Sequence, residues 1–161
     1  MNIGVLGGTF DPPHDAHLRI AERSIDQFSL DKVIFIPSGN PWQKKDATSY
    51  RHRYEMTKIL IGDSNDLEIS DIENSEEKPS YTYETLKKLN HPKEELYFIL
   101  GSDAAINIKT WKNYELLSNL TNFLIALRSE DNIDVLEKNF PFNYEIISGD
   151  KLDLSSTTLR N

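Results

Sequence analysis

The sequence predicts an α/β fold, a parallel sheet with helices on both faces. Short β-branched or aromatic runs alternate along the chain with stretches of helical period, the pattern of strand–helix–strand units. Leu18, Ala21, Ile25 and Phe28 recur at spacings of three and four, which marks one buried helix face after the first strand. The length of 161 residues is that of one domain with a real core.

The strands read as Ile3–Leu6, Lys32–Pro37, Leu67–Ile72, Leu96–Leu100, Asn122–Leu127 and Tyr144–Ile147. After the helix around Leu18–Phe28, further helices are expected over Arg51–Gly62, Thr82–Leu89, Tyr114–Leu120 and Asn132–Asn139. Ser38–Ser49 is a polar, breaker-rich loop carrying Lys44 and Lys45. Asp63–Glu77 holds seven carboxylates in fifteen residues and reads as a strand and loop with a solvated acidic edge. In such folds ligands bind outside the carboxyl ends of the strands, where strand order reverses.

Composition excludes several classes of function. Eighteen basic against 26 acidic residues leave a net charge of −8, which argues against coating a nucleic acid. An anionic small molecule would need a local cluster of donors. With no Cys, there is no disulfide framework, thiol nucleophile or thiolate metal site. The longest apolar run, Phe123 to Leu127, is far short of the ~18 residues that span a bilayer. Met1 to Gly8 lacks the features of a signal peptide, so a cytoplasmic domain with no membrane partner is expected.

Chemistry concentrates at the first strand's end, in Gly7-Gly8-Thr9-Phe10-Asp11-Pro12-Pro13-His14-Asp15-Ala16-His17. Two glycines let backbone approach a ligand closely and expose amide N–H groups. His14 and His17 lie three apart at a helix start, where ring donors join the positive helix end. That is a phosphate site in kind. Zinc ligation and structural capping are the competing readings of the two histidines. The dinucleotide-binding Gly-x-Gly-x-x-Gly and the Walker Gly-Lys-Ser/Thr are both absent.

The whole string resembles the Gly-Thr-Phe-Asp-Pro…His-x-Gly-His signature of the nucleotidyltransferase superfamily. Phe35-Ile36-Pro37 with Lys44, Pro79–Leu86, and Phe98-Ile99-Leu100-Gly101-Ser102-Asp103 running on to Trp111 resemble its nicotinate-nucleotide adenylyltransferase branch. Leu154–Arg160 is similar to the superfamily's Ile-Ser-Ser-Thr-x-Ile-Arg motif, and the resemblance covers residues 1–161 in order. It implies a Rossmann-like sheet and transfer of an adenylyl group from ATP to nicotinate mononucleotide, with Mg²⁺ bound through the phosphates.

The resemblance also implies roles. His14 and His17 bind the ATP phosphates, and His17 stabilises the transition state. Gly7, Gly8, Thr9 and Phe10 supply backbone contacts to the nucleotides, and Lys44 a cation. Ser156, Thr157 and Arg160 hold the β- and γ-phosphates, and Gly101 and Asp103 meet the ATP ribose. Trp111 stacks on the pyridine ring, with amides near Thr82 and Trp111 receiving the carboxylate.

Outside that resemblance, Trp111 reads as core, Ser155–Thr157 as a helix cap, and Lys44 and Lys45 as solvated lysines. Arg51 and Arg53 read as the solvated face of the second helix, and Asp11 as a structural turn residue. The chain departs from the pattern in three places. Ala16 replaces a glycine, which could narrow the adenine site, and Pro41-Trp42-Gln43-Lys44 lacks a loop histidine. The chain ends one residue past Arg160, so the expectation is one nucleotidyltransferase domain, 1–161, without the usual C-terminal helix. A pantetheine-phosphate-type transferase and a nucleotide-binding module with impaired catalysis stand as alternatives. Whether the chain forms a homo-oligomer is left open.

Overall fold

Neighbouring residues on each central strand are both buried: Val5 with Leu6, Phe35 with Ile36, Phe98 with Ile99, Leu124 with Ile125. Successive strand side chains point to opposite faces, so the sheet must be covered on both sides. A computed structural model describes residues 1–39, 48–74, 81–127 and 132–147 and shows this arrangement.

The elements run β1 (Ile3–Gly8), α1 (Asp15–Phe28), β2 (Lys32–Pro37), α2 (Tyr50–Ile61), β3 (Leu67–Ile69), α3 (Thr82–Leu89), β4 (Leu96–Gly101), α4 (Ser102–Ile106), β5 (Asn122–Ala126), α5 (Asn132–Asn139) and β6 (Glu145–Ile146). The strands pair in parallel in the order β3-β2-β1-β4-β5-β6. One apolar cluster joins Leu6, Phe35 and Ile99 to Ile20 and Ala21 of α1 and Ile61 of α2. The other joins Val5, Phe98 and Ile125 to Leu86 of α3, Ala105 of α4 and Leu136 of α5. The helices thus divide between two faces, as expected of a Rossmann-like sheet.

The differences from the sequence-based bounds have local causes. β3 stops at Ile69 instead of Ile72 because the Ser70 hydroxyl accepts the Ile72 N–H and Asp71–Asn74 closes a turn. Tyr114–Asn119 is a 3₁₀ helix, tighter than the α-helix expected there. α4 has five residues, too few for a periodic pattern to reveal it. The acidic stretch runs through the edge strand β3, where Glu68 pairs with Lys32 at 2.9 Å. Among the described residues, no helix is long and apolar enough to cross a membrane.

Gly4, in the middle of β1, is held by packing. A Cβ there would lie 2.9 Å from Leu30 Cδ1, 3.0 Å from Val33 Cγ2 and 3.1 Å from Ile99 Cδ1. Gly4→Ala should therefore cost about 1–3 kcal/mol through overpacking. Urea unfolding measures it; a variant as stable as the parent would show that the cluster relaxes freely.

Candidate active site

Strands β1 and β4 pair only from Ile3↔Leu96 to Leu6↔Ile99. Beyond that point β1 stays with β2 as far as Gly8↔Pro37, and β4 stays with β5 as far as Gly101↔Ala126. The two central strands therefore part and leave a notch at their carboxyl ends. This is also where strand order reverses, the place such sheets hold ligands.

The first wall of the notch is the turn Gly7–Phe10. The Gly8 carbonyl accepts the Ser38 N–H at 2.9 Å on the β2 side. In a trans peptide the C=O and the following N–H point opposite ways, so the Thr9 N–H faces the notch. A Cβ on Gly7 would come no closer than 3.8 Å to Phe98, and one on Gly8 no closer than 3.4 Å to the Phe10 ring. Unlike Gly4, neither is glycine because protein atoms crowd it. Phe10 has φ 53, and its buried ring lies edge-on to His17 with centroids 5.0 Å apart.

His14 caps α1 and His17 is its third residue, so both rings sit at the helix start, 4.1 Å apart and each 8% exposed. The His14 backbone N–H donates to His17 Nδ1 at 3.1 Å, the reciprocal half of a capping box. Capping and ligand binding are therefore compatible in one ring. Nδ1 is taken as an acceptor, which places the neutral ring's proton on Nε2. Burial above all, with the neighbouring His14 second, pushes the His17 pKa down to about 3. His17 is a neutral donor at physiological pH.

On the opposite wall, Gly101 ends β4 and caps α4, and Asp103 lies exposed in the first turn of α4. Trp111 is half-buried, edge-on to Phe98 at 6.1 Å, and Phe98 in turn borders Gly7. Thr82 opens α3. Lys112 ties the start of α3 to the Trp111 segment, resting 4.7 Å over the Tyr81 ring and pairing with Glu84 at 3.3 Å. The structure thus groups Gly7, Gly8, Thr9, Phe10, His14 and His17 on one side, Gly101 and Asp103 across the notch, and Thr82 with Trp111 beyond Phe98. Lys44, Ser156, Thr157 and Arg160 lie outside the described residues, as does the Pro41–Lys44 departure.

Two expectations need correcting. Ala16 is 1% exposed within the α1 core cluster, so its methyl packs inward and does not narrow the notch. Arg53 is not on a solvated face: it too is 1% exposed. Its Nε donates to Thr48 O at 2.6 Å and its Nη1 to Thr9 O at 3.0 Å and Ser38 O at 2.6 Å, while Nη2 reaches Gly39 O at 3.3 Å. The signal was present in the spacing, since buried Tyr50, Arg53, Thr57 and Ile61 share one helix face. Asp11 is structural, but across loops: its Oδ2 accepts the Thr48 N–H at 2.7 Å. Arg51 is exposed as expected.

Residues 5–161 match the family model described as Cytidylyltransferase-like. The chain belongs to the cytidylyltransferase-like family. Within that family it groups with nicotinate-nucleotide adenylyltransferases. A Clostridium novyi protein named "Probable nicotinate-nucleotide adenylyltransferase" is 43% identical over 98% of this chain and 84% of its own length. A Desulfitobacterium hafniense protein of the same name is 40% identical over 99% and 82%. The solved Plasmodium falciparum nicotinic acid mononucleotide adenylyltransferase complexed with NaAD superposes with a TM-score of 0.80 at 29% identity, covering 99% of this chain and 82% of that one. The same enzyme complexed with APC gives 0.76 at 27% identity, with the same coverage.

In this cytidylyltransferase-like chain the depressed His17 pKa has a consequence for stability. The folded value is about 3, against an ordinary 6.5. Above pH 6.5 neither the folded nor the unfolded chain binds this proton. As pH falls from 6.5 toward 3, the unfolded chain takes up a proton that the folded state refuses. Stability should then fall by up to about 1.4 kcal/mol per pH unit from this group. His17→Gln, which does not titrate, should flatten that part of the profile in urea unfolding between pH 7 and pH 4.5. An unchanged slope would mean that His17 is not held neutral.

Proposed function

We propose that this chain transfers the adenylyl group of ATP to nicotinate mononucleotide, giving deamido-NAD and pyrophosphate in NAD biosynthesis. The observation that carries the reading is the buried His14–His17 pair at the start of α1, beside a turn whose Thr9 amide faces the notch. The named activity of relatives about 40% identical over nearly the whole chain supports it. So does the structural relative solved with NaAD, the deamido-NAD that this reaction makes.

The chemistry is one in-line displacement. A phosphate oxygen of the mononucleotide attacks the α-phosphorus of ATP, and the bond to the bridging α–β oxygen breaks. Pyrophosphate leaves with the electron pair, so no covalent enzyme intermediate or proton transfer is needed. The protein's work is positioning and stabilising charge. His17, through Nε2–H, and His14 donate to phosphate oxygens on which charge gathers, and the Thr9 amide adds a fixed donor. Gly7, where a Cβ would meet nothing closer than 3.8 Å, and Gly8, whose front the Phe10 ring borders, allow nucleotide against the backbone.

Gly101 and Asp103 take the ATP ribose. Lys44 supplies a cation, and Ser156, Thr157 and Arg160 hold the β- and γ-phosphates. Trp111 and the amides near Thr82 take the nicotinate. Mg²⁺ enters as part of the substrate, on the ATP phosphates. Among the described residues no three His, Asp or Glu side chains gather into a metal site of their own. Free nucleotides in the cytoplasm, not nucleic acids, are the partners this reading expects.

Pyrophosphate release with nicotinate mononucleotide, nicotinamide mononucleotide and pantetheine phosphate as acceptors tests the assignment. The first should be preferred; release with pantetheine phosphate alone would replace the reading. His17→Ala should lose roughly 100-fold or more in kcat with little change in KM, as removal of a transition-state donor does. A folded variant with parental kcat would remove His17 from the chemistry.

Trp111→Ala and Arg160→Ala should separate the two substrates. The first loses a stacking partner and should raise the acceptor KM by about two- to twelvefold. The second should raise the KM for ATP, because the Arg160 motif is shared by enzymes with different acceptors. Steady-state kinetics with each substrate varied in turn decides both. The opposite pattern would exchange the two roles.

A further inference from the structure

We propose that Arg53 is a positioning residue for the phosphate-facing turn, fixing the Thr9–Phe10 peptide and, through Phe10, the His17 ring. The inference rests on the proposed function only in taking that turn as the one that meets the ATP phosphates.

The guanidinium is a planar fork, and buried as it is, each N–H it carries needs a partner. Four backbone carbonyls from three segments converge on it: Thr9 after β1, Ser38 and Gly39 after β2, and Thr48 before α2. Nη1 is shared between Thr9 and Ser38, and the Ser38 N–H is in turn bonded to Gly8 O. Residue Thr48 is held at both of its backbone groups, its carbonyl by Arg53 Nε and its N–H by Asp11 Oδ2. The turn after β1 is thereby tied to the end of β2 and the start of α2.

This tie has a direction. Because C=O and N–H of one peptide are opposed, a Thr9 carbonyl turned to Arg53 aims the Phe10 N–H away from α2. Phe10 itself is left-handed, φ 53, a conformation that a bulky side chain adopts only where its surroundings impose it. The Arg53 bond to the preceding carbonyl is the constraint at hand. With the peptide held, the Phe10 ring stands between Phe35, at 5.8 Å, and His17, at 5.0 Å with planes 82° apart. Release of the carbonyl lets the peptide rotate. The ring then leaves His17, and the Nε2 donor loses its lateral support.

Arg53→Lys tests this, since one ammonium cannot hold carbonyls arranged for a fork. The folded variant should lose about 10- to 100-fold in kcat, with the acceptor KM nearly unchanged. The His17 Nε2 resonance of the nucleotide-free protein, read by ¹⁵N NMR, should shift. Phe10→Leu, which leaves Arg53 and its carbonyls in place, should move the same resonance. The double variant should lose no more kcat than the worse single variant, because the two act along one path.

A folded Arg53→Lys protein with parental kcat overturns the proposal, as do kcat losses that multiply in the double variant. Should Arg53→Lys not fold, an unmoved His17 resonance in Phe10→Leu overturns the coupling by itself. If the parent protein transfers no adenylyl group, the proposed function fails. The resonances, read without any nucleotide, still decide the role of Arg53.

Discussion

Parallel strands can be joined only by crossovers, and β1 and β4 send theirs to opposite faces of the sheet. From β1 the chain turns into α1, on one apolar cluster; from β4 it turns into α4, on the other. Neither strand can then follow the other beyond Leu6 and Ile99. The backbone groups past that point turn to outer neighbours, as the Gly8 carbonyl turns to Ser38. What remains between them is a gap edged by peptide N–H groups, with a helix beginning on either side. Every residue placed at the site takes its position from this parting.

On the proposed function, the histidine pair serves packing and chemistry together at one helix start. An N-terminal turn has more amide donors than acceptors, and one of them is satisfied by His17 Nδ1. That bond orients the ring and determines which nitrogen bears the proton. Burial then keeps the ring neutral, so its donor strength does not vary across physiological pH. A cationic histidine in the same place would attract phosphate more strongly in the ground state. The neutral ring contributes through orientation instead, as a donor already in place when charge moves onto the leaving group. A neutral, oriented donor favours the stage at which charge is redistributed.

The strand–helix alternation was legible in the sequence because each element carries its own period. Lys32–Pro37, Thr82–Leu89 and Asn132–Asn139 were expected at their observed bounds. The glycine turn and two histidines were legible for another reason: their chemistry is local, spelled out within eleven residues. The burial of Arg53 could be read from its spacing with Tyr50, Thr57 and Ile61, but its partners could not, because they are backbone carbonyls, which any sequence supplies and none announces. The inward turn of Ala16 was hidden likewise, for a methyl group suits either face. The short α4 has no repeat long enough to read, and at Tyr114–Asn119 the helical stretch was legible but its 3₁₀ form was not.

For an acidic chain, the proposed polyphosphate substrate raises an electrostatic problem. The net charge of −8 offers no general attraction for an anion. Among the described residues the donors around the notch are dipoles, the Thr9 amide, the neutral His17 ring and the start of α1, to which the proposed function adds the charges of Lys44 and Arg160. Dipoles of this kind act over a few ångströms and select an anion that fits; a field of lysines would draw in any anion. The buried guanidinium of Arg53 belongs to the same scheme. Its Nη1 is directed to the Thr9 carbonyl, the acceptor end of a peptide in the turn, so that the Phe10 N–H at the opposite end points away from α2. Orientation of the backbone thus adds to charge, and it requires that the turn not move. Three tethers meet that requirement: the Ser38–Gly8 bond, the Asp11–Thr48 bond, and the guanidinium that joins both loops.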